Sequence, residues 1–361
     1  MTKLRVCIFG AGHIAEVHLK ALLKSTQDVE VIGICDIDAP KAGALCAKYA
    51  IPYVNRSSDD LLSLRPDLVN ICTPPSVHAQ LAIRALRAGS NVLVEKPLCA
   101  SLAELDLIQR TERETGRFCA TVLQKRYSSS VNHIRGLLQS EKLGRPLVAV
   151  CNTLWYRAPE YYNVDWRGKW STELGGPTVG HGIHAMDQLI YMLGDWRLVR
   201  ATAKTVDRNI EVEDVSVAII EFANGCVATV INSIVSPREE TYIRIDTQRG
   251  TVEQRGLYEV ANSDWKFTAA ASEDAAAFCQ DCELPAEISG NHQVLIDAVL
   301  ENVKSGERPK TSGEEAVKTA DLLSSIYKSA FCGLPILRGT IKPGDAYYYK
   351  YHGGSTPARI I

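Results

Sequence analysis

Apolar runs and amphipathic stretches alternate from residue 4 to residue 123. Leu4–Phe9 reads as a short apolar strand, and Glu16 to Lys24 reads as a helix after a glycine turn. Val29–Cys35 is a second strand and Lys41–Tyr49 a helix. Asp59–Leu64 is a short helix with Ser57 or Ser58 as its cap. Leu68–Cys72 is a strand, and Val77–Ala88 is a helix closed by Gly89. Val92–Val94 is a strand, Leu102–Thr115 a helix closed by Gly116, and Phe118–Leu123 a strand. Strands separated by helices predict a doubly wound parallel sheet.

Beyond residue 123 the period changes. Val131–Gln139 reads as a helix. Longer alternating strands follow at Pro146–Leu154, Leu198–Thr205, Val215–Phe222, Cys226–Ser233, Thr241–Asp246 and Gly250–Glu253. Asn224-Gly225 between two of them is a hairpin signal. Residues 291–304 and 314–331 return to helix. The expected class is α/β, with three segments. A nucleotide-type domain spans 1–123. An α+β domain with a large, mostly antiparallel open sheet spans 124–340. A tyrosine-rich tail, read as a packed or frayed terminus, spans 341–361.

Composition narrows the function without choosing it. The 361 residues suit two domains, and 46% hydrophobic with 23% charged content is ordinary for a soluble protein. A net charge of −2 gives no electrostatic footprint for nucleic acid or anionic membrane. No apolar run approaches the roughly 20 residues that span a bilayer. The first strand begins close to Met1, so no leader is expected and the location expected is the cytoplasm. The eleven cysteines fall largely in apolar segments, as small buried hydrophobes of a reducing compartment do. Cys279-x-x-Cys282 lacks a second pair of zinc ligands.

The first strand, the turn Gly10-x-Gly12-x-x-Ala15 and the helix after it form a dinucleotide-binding (Rossmann) fingerprint in its proper context. Gly10 suits the tight turn, Gly12 a close approach to pyrophosphate, and Ala15 a helix packed near the sheet. His13 and Ile14 lie in that turn and are candidate cofactor contacts, and the helix N-terminus beyond it offers free N–H groups to phosphate. Asp36 ends the second strand at the ribose position. Ile37 and Asp38 follow, with no Arg or Ser for a 2′-phosphate, so the expected cofactor is NAD rather than NADP. Asp36 also suits a plain turn. Thr73, Pro74 and His78 lie at a third strand end and are candidate cofactor contacts, although His78 alone reads more readily as a surface helix histidine.

Residues 91–98, Asn-Val-Leu-Val-Glu-Lys-Pro-Leu, run from a buried strand into Glu95, Lys96 and Pro97. A lysine at such a strand end sits where open α/β sheets bind ligands, which puts Lys96 beside a nicotinamide. A solvated Glu-Lys pair is the plain alternative.

In the second domain, Gly175-Gly176-Pro177 leads into His181, His184 and Asp187, spaced by three along one expected helical face. A metal site lacks a converging fourth ligand, so none is expected. A general base and a locally bonded helix histidine both remain. Upstream, residues 155–170 hold three of the five tryptophans, with Tyr156, Tyr162, Arg167 and Lys169 interleaved. That mixture suits a polyhydroxylated ring, or packing between domains.

Gly10-x-Gly12-x-x-Ala15, Thr73-Pro74-Pro75-x-x-His78, Glu95-Lys96-Pro97 and Gly175-Gly176…His184-x-x-Asp187 occur in that order. Over roughly residues 3–335 the chain thus resembles the Gfo/Idh/MocA family of sugar and inositol dehydrogenases. The resemblance implies cofactor in the first domain, substrate between the domains, and hydride transfer between a carbinol carbon and nicotinamide C4. It implies that Lys96 bonds the reacting hydroxyl, that His184 handles its proton, and that Trp166 and Arg167 approach the nicotinamide. Glu95 and Gln124 are cofactor candidates. Lys96, Arg126, Tyr156, Tyr162, Lys169, His181 and His184 are substrate candidates. The partners implied are a carbohydrate or cyclitol substrate and a second copy of the chain, as homodimer or homotetramer. Many members carry an aspartate four residues before the histidine. Gly180 stands there instead, with His181 beside it as the substitute expected. That departure keeps two other readings open: a glycosidase or lyase acting through transient sugar oxidation, and a non-enzymatic dinucleotide sensor.

Overall fold

β1 (Leu4–Phe9) runs parallel to β2 (Val29–Cys35) on one side and to β3 (Leu68–Ile71) on the other. A computed structural model describes residues 3–52 and 57–359. Between these strands lie α1 (His13–Lys24), α2 (Ala39–Lys48) and α3 (Ser58–Ser63). The side chain of Asp38 caps α2, and Ser57 with Asp60 forms a capping box on α3. α4 (His78–Arg87), β4 (Asn91–Val94), α5 (Leu102–Thr115) and β5 (Cys119–Thr121) complete a five-stranded sheet of order β2-β1-β3-β4-β5. All its pairings are parallel. β3 and β4 are buried throughout, as strands covered on both faces must be.

The second sheet starts after α6 (Ser129–Gln139). β6 (Pro146–Tyr156) leads through the aromatic segment to α7 (Pro177–Gly180) and α8 (Ile183–Leu193). β7 (Trp196–Thr205), β8 (Val215–Phe222), β9 (Val227–Ser233), β10 (Val235–Thr247), β11 (Gly250–Gly256) and β12 (Trp265–Ala269) follow, then α9 (Ala275–Asp281). The sheet order is β12-β11-β10-β6-β9-β8-β7, extended beyond β7 by a short strand near the chain end. Only the β6–β9 pairing within that order is parallel. α8 packs against β6 and β10 and is buried from Ala185 to Leu193. Leu147, Val148, Ile219 and Val227 are exposed.

α10 (His292–Ser305) and α11 (Glu314–Cys332) follow, then β13 (Ile336–Leu337), α12 (Ala346–Tyr349) and β14 (Ala358–Arg359). Two compact units emerge: residues 1–123 with 291–317, and 124–290 with 318–361. The sequence-based division puts 291–317 with the second domain. In the structure α10 lies on α1, where Gln293 Nε2 donates to Ala21 O (3.0 Å) and Ser25 Oγ to Asp297 Oδ1 (2.5 Å). The tail is not frayed, since Tyr347 and Tyr351 are buried. No helix among the described residues is long and apolar enough to cross a membrane.

Candidate active site

In the first unit the glycine turn follows β1, the strand that lies between β2 and β3 in the sheet. Gly10 has φ +98°, and a Cβ there would stand 2.5 Å from the Cys72 carbonyl oxygen, so only glycine fits. A Cβ on Gly12 would meet nothing within 4 Å. No side chain caps α1, which leaves its first-turn amides, including those of His13 and Ile14, pointing into that open space. Asp36 Oδ2 accepts the Ala11 N–H (2.7 Å) and Oδ1 the Asp38 N–H (2.9 Å). Each oxygen keeps acceptor capacity for a ribose hydroxyl. Thr73 Oγ1 is buried without a hydrogen-bond partner among the described residues, and Thr73 N lies 3.1 Å from the Gly10 Cβ position. A phosphate-bearing dinucleotide therefore fits this turn.

Lys96 is half-buried just past β4, and its peptide bond to Pro97 is cis. Two neighbours expected at the cofactor turn inward instead. His78 is fully buried, with Nδ1 2.8 Å from Pro97 O and Nε2 2.9 Å from Thr73 O. Burial holds its imidazole below the usual value even though both carbonyls favour the cation. Its two ring nitrogens face one carbonyl after β3 and one after β4, and the neutral ring donates to one of them at a time. Glu95 is 7% exposed, and its carboxylate faces His18 and His292. Both side chains expected at the cofactor are thus engaged with protein groups of the same unit.

The second unit builds an aromatic and cationic cluster. The Trp155 ring meets His181 edge-on at 5.0 Å and Tyr258 at 4.5 Å, and its Nε1 donates to Thr241 Oγ1 (3.0 Å). Tyr161 lies 6.1 Å from His181. The Arg157 guanidinium lies 4.8 Å from the Trp155 ring, and that of Arg167 lies 3.8 Å from Tyr161 and 4.3 Å from Trp166. Arg167 also donates to the Tyr161 hydroxyl and to Glu173 Oε1 (3.3 Å). Tyr162 packs on Tyr161, and burial pushes its phenol up. Lys169 is exposed. Tyr156 follows Trp155 along β6 and so points to the opposite face of the strand, where Arg208 stacks on it at 5.2 Å. The structure does not bring Tyr156 to the cluster.

His181 and His184 do not share a helix. His181 ends α7 with φ −125°, and Gly182 opens α8, which carries His184 and Asp187. Gly182 lies tight against β9, where a Cβ would stand 1.8 Å from Asn232 Oδ1, so only glycine fits between the two helices. Glu213 fixes the turn before it, accepting the N–H groups of Gly176 (3.0 Å) and Thr178 (3.1 Å) and the Tyr327 hydroxyl (2.9 Å). Arg126, expected at the substrate, is fully buried. It pairs two-pronged with Asp187, with Nε to Oδ2 at 2.9 Å and Nη2 to Oδ1 at 2.7 Å. It is structural here because both donors on that edge of the guanidinium are consumed below the surface. Gln124 Oε1 is buried with no hydrogen-bond partner among the described residues.

Sequence reasoning missed Tyr258, which comes from a loop far along the chain and carries no local signal. It also missed Glu173. The Glu173 Oε1 lies 3.9 Å from the position of a Cβ on Gly180, so a carboxylate stands beside the residue that lacks one. Glu173 is held there by the Gly168 N–H (2.6 Å).

The family model described as "Oxidoreductase family, NAD-binding Rossmann fold" matches residues 4–122, and that of the "GFO/IDH/MocA C-terminal domain" matches 131–253. D-glucoside 3-dehydrogenase of Escherichia coli is 29% identical over 199 residues, 53% of this chain and 54% of that enzyme's length. D-apiose dehydrogenase of Paraburkholderia graminis is 24% identical over 341 residues, 90% of this chain and 86% of that one. The WlbA dehydrogenase of Bordetella pertussis, solved with NADH and UDP-GlcNAcA, superposes with a TM-score of 0.84 at 25% identity. That superposition covers 94% of this chain and 100% of the other.

Proposed function

Because the chain belongs to the Gfo/Idh/MocA oxidoreductase family, we propose that it is an NAD-dependent dehydrogenase for a secondary hydroxyl of a sugar, sugar derivative or cyclitol. The observation that carries this is Lys96. It stands just past β4, in the sheet whose β1–β3 crevice presents the open glycine turn and the Asp36 carboxylate. Ligands of doubly wound sheets bind outside such strand ends. NAD, when bound, supplies the acceptor for the carbinol hydride. The first-turn amides of α1 hold its pyrophosphate. Asp36 holds the ribose hydroxyls and repels a 2′-phosphate. Lys96 donates to the reacting oxygen and stabilises charge developing on it. His184 takes the hydroxyl proton on oxidation and returns it on reduction. The Trp155–Tyr161 cluster offers faces on which sugar C–H groups stack, with Arg157 and Lys169 for hydroxyls.

Glu173 takes the place of the carboxylate absent at Gly180. Glu173→Ala is expected to lower kcat about tenfold or more. Adding Gly180→Asp to that variant is expected to recover part of the loss, because the vacated volume accepts the new carboxylate. No recovery would leave Glu173 as a support for the 168–173 turn alone.

The reading is tested by incubating the protein with NAD and a panel of methyl glucosides, inositols and UDP-linked sugars. NADH absorbance should appear with at least one, and silence across the panel counts against it. Aglycone release without net NADH would move the reading to transient oxidation. Asp36→Ala is expected to weaken NAD about 10- to 100-fold, the value of charged hydrogen bonds to two hydroxyls, and to reduce the preference over NADP. Calorimetric titration with both nucleotides measures it. The exposed apolar residues Leu147, Val148, Ile219 and Val227 suit the open sheet to self-association.

A further inference from the structure

Glu95, His18 and His292 form the one group of three potential metal-ligating side chains found among the described residues, and they come from three separate stretches of the chain. Glu95 Oε1 lies 3.0 Å from His18 Nε2 and 3.4 Å from His292 Nε2, while Oε2 accepts the backbone N–H of Lys96 at 3.2 Å. His18 is fully buried, and its Nδ1 accepts from Asn70 Nδ2 at 3.1 Å. That bond leaves the proton on Nε2, so the ring donates to Glu95 and has no lone pair there for a metal. His292 is the first residue of α10, whose start is capped by Asn291. Burial alone would raise the Glu95 carboxyl, but the two imidazoles outweigh burial and hold it well below the usual range. The carboxylate is thus an ionised acceptor shared by three donors, one of them the peptide of Lys96.

We propose that Glu95 is a positioning residue for Lys96, and that His292, delivered by α10 from late in the chain, completes its alignment. The proposal rests on the catalytic reading of Lys96. Glu95 pins the N–H of Lys96 from one side, and His78 holds the carbonyl of Pro97 from the other. The lysine backbone is therefore fixed on both flanks before any ligand binds, and α1 and α10 together set it. Neutralising Glu95 turns one acceptor oxygen into an amide NH₂, which must face a donor: His18, His292 or the Lys96 N–H.

Glu95→Gln keeps the shape and removes the acceptor. The expected result is a kcat about 10- to 100-fold lower on the panel compound that the wild type turns over fastest, with NAD Kd changed less than about twofold. Amide exchange in the 91–98 peptide should rise about tenfold by mass spectrometry, with Tm and far-ultraviolet dichroism near wild type. His292→Leu should reproduce both effects more weakly. His292→Gln, which returns an N–H donor at the same reach, should recover most of that loss. Unchanged kcat and exchange in Glu95→Gln would overturn the proposal, as would equal losses in the two His292 variants. Stoichiometric metal in the purified protein would overturn it in favour of a metal site. Lys96→Ala is the reference: if that variant keeps activity, the catalytic reading fails instead, and the exchange result still reports on the pinning.

Discussion

Lys96→Ala is expected to lower kcat about 1,000-fold while NAD Kd stays within about twofold. The size follows from the task. A preorganised donor facing a developing alkoxide is worth about 100- to 1,000-fold, and a share in proton transfer adds to that. Cofactor affinity is expected to survive because the contacts proposed for it are elsewhere in the unit: the α1 amides, the open Gly12 and the Asp36 carboxylate. Lys96→Arg should not rescue, since a planar fork places its donors differently from a point ammonium. Combining Lys96→Ala with His184→Ala should cost little more than either change alone, because groups acting on one hydroxyl are strongly non-additive. Additive losses would mean that the two residues serve separate steps.

Arg126→Ala is expected to destabilise the second unit by about 3–5 kcal/mol. It strips the buried Asp187 carboxylate of two charged hydrogen bonds and leaves the Thr319 hydroxyl, at 2.7 Å, as its remaining contact among those described here. At roughly 2–4 °C per kcal/mol for a unit of this size, Tm should fall by about 10 °C. Arg126→Met with Asp187→Leu should recover much of the loss, because removing both charges spares the uncompensated one. A substrate-binding arginine would behave differently, raising KM with Tm unchanged. Asp187 lies one turn after His184 on α8, so a residual drop in kcat is also expected in the single variant.

The glycine turn, Asp36 and Lys96 were legible because each depends on its own strand end. A turn that needs φ > 0 at Gly10, a carboxylate closing β2 and a lysine closing β4 announce themselves within a few residues. The sheet class was legible for the same reason: helix and strand periods alternate locally in one half and strands dominate the other. Side-chain destinations were not. Arg126 and Glu95 read as polar groups beside a ligand, and both are buried against distant partners, Arg126 in an ion pair 61 positions away and Glu95 in a hydrogen bond to His18 77 positions away. His181 and His184 matched a helical spacing that the turn at His181, between α7 and α8, interrupts.

By itself the sequence determined the two folding patterns, the glycine turn and the strand-end positions of Asp36 and Lys96, since these follow from backbone geometry and hydrophobic period at short range. Only the tertiary structure decided which charged groups face inward, that α10 returns to the first unit, and that Glu173 stands beside Gly180. Those outcomes depend on which distant segments meet, and a buried charge is tolerable only where such a meeting supplies its partner.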